Sequence, residues 1–127
     1  MLILDTHIAL WWLADDARLR SELRDEVIGA PAVHLSSAST WEVAIKIAIG
    51  RLKLDLDEGV TFASACAAQG FRLMPVDHDD AWAVRDLPAN RSDPFDRLIA
   101  ATARRRGWTV VTADPVFEEL GVATLRP

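Results

Sequence analysis

The chain predicts an α/β fold, a mainly parallel sheet flanked by helices, on three observations. Apolar runs of strand length alternate along the 127 residues with stretches whose apolar residues recur at helical spacing. Glycine or proline punctuates many of the changeovers. Acidic residues recur just where an expected strand hands over to an expected helix, which is the ligand-binding edge of a parallel sheet.

In order, Met1 to Leu4 reads as a buried strand ending at Asp5. Ile8, Trp11 and Trp12 then recur at helical spacing through Ala14, so Asp5 lies at a strand-to-helix junction. A second helix is expected from Arg18 to Ile28, with Leu19, Leu23 and Val27 inward, and Gly29-Ala30-Pro31 breaks it. Val33 to Leu35 is the second strand. Ser36, Ser37 and Ser39 open a helix through Ile49 that Gly50 stops. Trp41, Ala44, Ile45, Ala48 and Ile49 are its expected core stripe, and Val43 and Ile47 leave a second apolar side for a partner. Arg51 to Leu56 alternates charge with leucine, as an extended edge piece would. Val60 to Gln69 is a small-residue helix ended by Gly70, Arg72 to Val76 the third strand, and Asp77 to Leu87 a further helix.

The central helix is read from RSDPFDRLIAATAR, Arg91 to Arg104. Asp93 stands where an N-cap belongs and Pro94 suits the first helical position, where a missing N–H costs nothing. Phe95, Leu98, Ile99 and Thr102 make one face, with Asp96 one residue round from it and Ala100 and Ala103 following on its side. Gly107 breaks the helix, and Thr109 to Thr112 is the fourth strand. Asp114-Pro115 opens a short helix, and Val122 to Leu125 is the fifth strand.

The composition is that of an ordinary globular domain, and the length fits a single domain over residues 1–127. A net charge of −5 excludes a global basic field for nucleic acid, so a phosphate-bearing partner would need local patches or a metal ion. The single cysteine, Cys66, cannot form an internal disulfide and reads as a small core thiol in a reducing cytoplasm. No apolar run approaches the roughly 20 residues that span a bilayer, and no basic region precedes Met1-Leu-Ile-Leu as in a secretory leader. A soluble cytoplasmic protein without a membrane partner is expected.

Asp5, Glu42, Asp96 and Asp114 each fall at a helix start or just beyond a strand, so all four would lie at the carboxyl edge of the sheet. Read singly, each has an ordinary role: Asp5 and Asp114 as caps, Glu42 in a capping box with Ser39, Asp96 as a partner of the helix dipole. Capping alone does not require them on one edge. Grouped carboxylates repel, and a hard divalent cation such as Mg²⁺ or Mn²⁺ removes the conflict. Such a cation also suits phosphodiester hydrolysis.

Four blocks, LILDTHIALWWL, SSASTWEVAIKIAIGRLKL, DPFDRLIAATA and VVTADPVFEELGV, together resemble the PIN-domain ribonucleases, and most closely the VapC-type toxins of toxin–antitoxin pairs. The resemblance covers the whole chain and implies a three-layer α/β/α domain with a five-stranded, mainly parallel sheet. It implies that Asp5, Glu42, Asp96 and Asp114 bind Mg²⁺ or Mn²⁺ and activate water for RNA cleavage. Asp5 and Asp96 are then the first metal ligands, Asp114 completes the site directly or through water, and Glu42 ligates or orients the attacking water. It further implies a VapB-type antitoxin lying across the site, and a homodimer built on helical surfaces. Two positions depart from the commonest pattern of this branch: Arg91 where a histidine often precedes DPFD, and Thr102 where glutamine is common. A phosphoacceptor signalling domain would need a lysine after a late strand, and VVT delivers Asp114 instead. A non-catalytic binding relic would have lost an acid, and all four remain.

Around these acids, Lys46 falls on the Glu42 face of its helix, to pair with it or with an RNA phosphate. Arg97 is a phosphate contact or a solvated arginine, and Thr6 and Thr112 are hydroxyl partners for the acids or turn-forming hydroxyls. His7 reads as packed or solvent-facing, Asp93 as a cap, and Asp77, Asp79 and Asp80 as acids favouring a helix start. Arg104 to Arg106 suit a helix C-terminus, and Trp11, Trp12, Trp41, Trp82 and Trp108 read as core and interface packing.

Overall fold

The structure, a computed structural model, describes residues 1–127. Strands β1 (Leu2–Leu4), β2 (Val33–Ser36), β3 (Arg72–Met74), β4 (Thr109–Val111) and β5 (Thr124–Leu125) form one five-stranded sheet. Every pairing is parallel, in the order β3-β2-β1-β4-β5. The helices are α1 (Thr6–Leu13), α2 (Ser21–Gly29), α3 (Ser37–Ala48), α4 (Phe62–Ala68), α5 (His78–Ala83), α6 (Pro94–Arg106) and α7 (Val116–Glu119). From β1 the chain steps outward to β2 and β3, then returns to the other side of β1 for β4 and β5. The strand order therefore reverses between β1 and β4, and their carboxyl ends face a crevice there.

Alternate strand residues feed two cores, as the period of two requires. Leu4, Val33, Leu35 and Val111 pack with Ile8 and Trp12 of α1, Leu23 and Val27 of α2, Val43 of α3, and Phe62 and Cys66 of α4. Ile3 and Val110 point the other way, into Ile99 to Ala101 and Ala103 of α6 and Val116, Phe117 and Leu120 around α7. That is the expected three-layer α/β/α arrangement. Cys66 is fully buried, and burial pushes its thiol up to about 11, as a core thiol should be.

Capping follows the expected chemistry at α6. Asp93 accepts from the Asp96 amide at 2.8 Å, Pro94 is the first helical residue, and Gly107 ends the helix at φ 69. Several expectations need correction. Arg51 to Leu56 forms no strand; Leu52 and Leu54 pack on the core without pairing. The helix expected over Asp77 to Leu87 is the short α5 followed by a 3-10 turn, Val84–Asp86. In α6 the fully buried face is Ile99 to Ala103, while Phe95 and Leu98 are half-buried.

The largest correction concerns α3. Its core face is Ala38, Ser39, Glu42 and Val43, whereas Trp41 is 54% exposed and Ile45, Ile47 and Ile49 are exposed as well. Apolar residues surround the C-terminal half of this helix, so periodicity could not pick the inward side. The inward side is set at its first turns, where Thr6 at the start of α1 donates to Ser39 at 2.8 Å. Ser39 therefore makes no capping box with Glu42; Ser36 is the cap, accepting from the Ala38 amide at 3.0 Å. Trp82 is also exposed, with Arg85 stacked 4.6 Å from its ring centroid.

Candidate active site

Register brings the first two acids into place. β1 pairs with β4 as Ile3 to Val110 and Leu4 to Val111, so Asp5 leaves its strand beside Thr112. Asp5 is 3% exposed, and its carboxylate accepts the Thr112 hydroxyl at 2.8 Å. The same hydroxyl oxygen accepts from the Asp114 amide at 2.9 Å. One threonine thus links the acid after β1 to the turn after β4. Asp5 stands at the N-cap of α1 without making a side-chain cap bond, so capping does not account for its burial. Burial raises the Asp5 pKa; the Thr112 hydroxyl and the charge on exposed His7 oppose the rise, and the charge on Glu42 adds to it.

Glu42 projects from the inward face of α3 and is 2% exposed. Lys46, one turn on, reaches its Oε2 at 2.5 Å. The other oxygen, Oε1, is buried and has no hydrogen-bond partner in the protein. Such an orphan is costly unless something else satisfies it. Asp96 enters from the first turn of α6, and its pKa is pushed up to about 7. Burial is the main cause, followed by the charges on Asp93, Asp5 and Glu42. Asp5, Glu42 and Asp96 therefore share one electrostatic field. The edge-on contact of Trp41 with Phe95, ring centroids 4.9 Å apart, sets the approach of the two helices that carry Glu42 and Asp96.

Asp114 lies at the rim rather than in the buried group. Its carboxylate accepts from the Val116 amide at 3.0 Å, opening α7, and lies 3.9 Å from the Arg91 guanidinium. No three acidic, histidine or cysteine side chains converge tightly enough to form a ready-made ion cage. Asp5 accepts from Thr112, Glu42 pairs with Lys46, and Asp114 accepts from the Val116 amide. The donor set nonetheless fits a hard divalent ion: carboxylate oxygens only, one buried oxygen without a partner, and one acid that burial, aided by its charged neighbours, pushes toward protonation.

The secondary residues sort clearly. Arg97 is half-buried against the loop before α6, donating to the carbonyls of Pro88 at 3.0 Å and Leu87 at 3.3 Å. Asp77 and Asp80 form a capping box on α5 and pair with Arg105 and Arg106. Trp12 is core, and Trp108 stacks on His34 at 4.0 Å. Sequence reasoning missed Asn90, which donates to the Val116 carbonyl at 3.2 Å and so ties the loop before α6 to α7. No local signal marks it, because its partner is 26 residues away.

The PIN domain family model matches residues 2–123, so the chain belongs to the PIN domain family. It is similar to Ribonuclease VapC22 of Mycobacterium tuberculosis, 31% identical over 114 residues, spanning 89% of this chain and 86% of that protein. Among solved structures it superposes on VapBC2 from Rickettsia felis, bound to a DNA fragment from its promoter, with TM-score 0.71 and 13% identity over 98% of this chain and 97% of that one. It also superposes on VapC20 of Mycobacterium tuberculosis, a sarcin-ricin loop cleaving toxin, with TM-score 0.65 and 24% identity over 100% of both chains. At those identities the structural likeness is one of fold. No helix is long and apolar enough to cross a membrane.

Proposed function

We propose that residues 1–127 act as one PIN domain, a metal-dependent endoribonuclease that is the toxin half of a VapBC-type pair. The observation that carries this reading is the mutually repelling group of buried Asp5 and Glu42 and half-buried Asp96 at the reversal point of the sheet, with the Glu42 Oε1 lacking any partner. The similarity to Ribonuclease VapC22 supports RNA as the substrate.

Asp5 and Asp96 hold Mg²⁺ or Mn²⁺, with Asp114 completing the site from the rim, directly or through water. Glu42, anchored on Lys46 through one oxygen, keeps the other for the ion or for orienting water. A divalent ion held there would neutralise charge at the phosphodiester and lower the pKa of water. Thr112 holds Asp5 against rotation and fixes the backbone of Asp114 beside it. The Thr6 to Ser39 bond joins the start of α1 to α3 and so holds Glu42 in register with Asp5. Hydrolysis adds water across one P–O bond, with a proton leaving the water and another reaching the departing ribose oxygen.

The partners are RNA, a VapB-type antitoxin covering the site, and a second copy of the chain. The complexes among the solved relatives support the antitoxin. The exposed apolar residues of α3 support a protein-binding face. The decisive experiment is cleavage of total cellular RNA by folded, antitoxin-free protein in Mg²⁺, Mn²⁺ or EDTA, beside Asp96→Asn. Discrete fragments that require metal and vanish in the variant are expected. No cleavage in either metal would leave a binding module, and cleavage surviving the substitution would place the site elsewhere.

A further inference from the structure

Arg91, two residues before the DPFD block, is a position at which this chain departs from the commonest pattern of its branch, and the structure puts it at the mouth of the acidic site. Its Nη1 donates to Glu119 of α7 at 3.1 Å, and its Nη2 lies 3.9 Å from the Asp114 carboxylate, beyond hydrogen-bonding distance. A guanidinium carries five N–H donors in a planar fork. Here only Nη1 is engaged, so Nη2 and Nε retain donors at the rim, and the side chain is 62% exposed. Glu119 acts as a rest that holds one edge of the fork.

The backbone beneath Arg91 is fixed from both sides. Asn90 ties the loop to the Val116 carbonyl, and the Asn90 carboxamide oxygen also accepts from the Ser92 amide at 2.9 Å. Arg97 clamps the Leu87 and Pro88 carbonyls from the α6 side. The other cations near the site are more enclosed than Arg91: Lys46, 36% exposed, pairs with Glu42, and half-buried Arg97 donates to backbone carbonyls. A chain of net charge −5 with carboxylates lining its site repels a polyanion, and needs a fixed cation beside the reacting phosphate.

Resting on the nuclease reading, we infer that Arg91 anchors the RNA substrate by a forked contact from Nη2 and Nε to a backbone phosphate adjoining the one that is cut. Glu119 orients that fork. The contact is made to phosphate, so it contributes affinity and register without reading a base.

The test uses a synthetic single-stranded RNA copied from a site that the wild-type protein cuts in total RNA. Steady-state cleavage is measured across a salt series for wild type, Arg91→Ala and Arg91→Lys, with thermal unfolding confirming that each variant is folded. Arg91→Ala is expected to raise KM about tenfold with little change in kcat. Its plot of log kcat/KM against log salt should be shallower by about 0.7, the slope of one phosphate contact on a single strand. Arg91→Lys should restore the slope, because the charge remains, while recovering KM only in part, because the fork is lost. An unchanged KM and slope in Arg91→Ala would overturn the inference, and so would a fall in kcat alone, which would mean that Arg91 acts only through Asp114. Failure of the wild type to cut any RNA would instead overturn the nuclease reading, and this inference with it.

Discussion

At the scale of single residues, the pKa of Asp96 links site and stability. Folding carries it from 3.8 to about 7, so between those values the folded protein holds a proton that the unfolded chain has already lost. Stability of the metal-free protein is therefore expected to fall as pH rises through that window and to level off above it. Asp96→Asn removes this group's share of the dependence and should stabilise the metal-free protein at pH 8 by about 1–2 kcal/mol, a value discounted for solvent around the half-buried carboxylate. Urea unfolding in EDTA at pH 5 and pH 8 measures it, and a variant whose pH dependence parallels the wild type would contradict it. Asp5 and Asp96 were legible as candidates at the sheet's ligand edge because a carboxylate at a strand end or a helix start falls there in any parallel sheet. The role of Ser39 was not, because S-x-x-E fits a capping box whether or not another chain segment claims the hydroxyl.

Among elements, α5 and α6 are joined by charge at the end away from the site. Asp80 is fully buried and accepts from Arg105 Nε at 3.2 Å and from Arg106 Nη2 at 3.0 Å, while Asp77 pairs with the same two arginines. Asp80→Ala should cost about 2 kcal/mol of stability, less than for a wholly buried pair because both arginines remain partly solvated. It should leave kcat unchanged at a temperature where the variant is folded, since a 13-residue helix separates these ions from Asp96 by about 15 Å. Urea midpoints and RNA cleavage of the one variant test both halves, and a loss of kcat in fully folded protein would show that the two ends are coupled. The helices themselves were readable from caps and breakers such as Asp93, Pro94 and Gly107. The ion pairs between them were not, because their partners lie 25 to 29 residues apart.

For the whole molecule, metal and fold should be linked. An ion that binds only the folded chain stabilises it by about 2.7 kcal/mol at a hundred times its Kd. Mg²⁺ or Mn²⁺ is expected to raise the unfolding midpoint of the wild type and to do little for Asp5→Asn; equal shifts in both would place the ion elsewhere. Because Asp96 must yield its proton, metal affinity should fall about tenfold per pH unit below 7 and level off above it, as titration calorimetry in the pH range 5.5 to 8 would show. The order and type of the elements were legible in the sequence, because periodicity, capping and glycine placement are local properties of the backbone. So was the grouping of four acids at one edge, which parallel topology enforces. Tertiary contact alone settled which side of α3 faces inward, turning Trp41, Ile45 and Ile49 outward and Glu42 into the site. It alone also turned the Thr6 hydroxyl to Ser39 rather than to an acid, and parked Arg91 on Glu119. Those outcomes depend on which strands become neighbours and on where buried polar groups find partners, and neither is encoded within the reach of a single helix or turn.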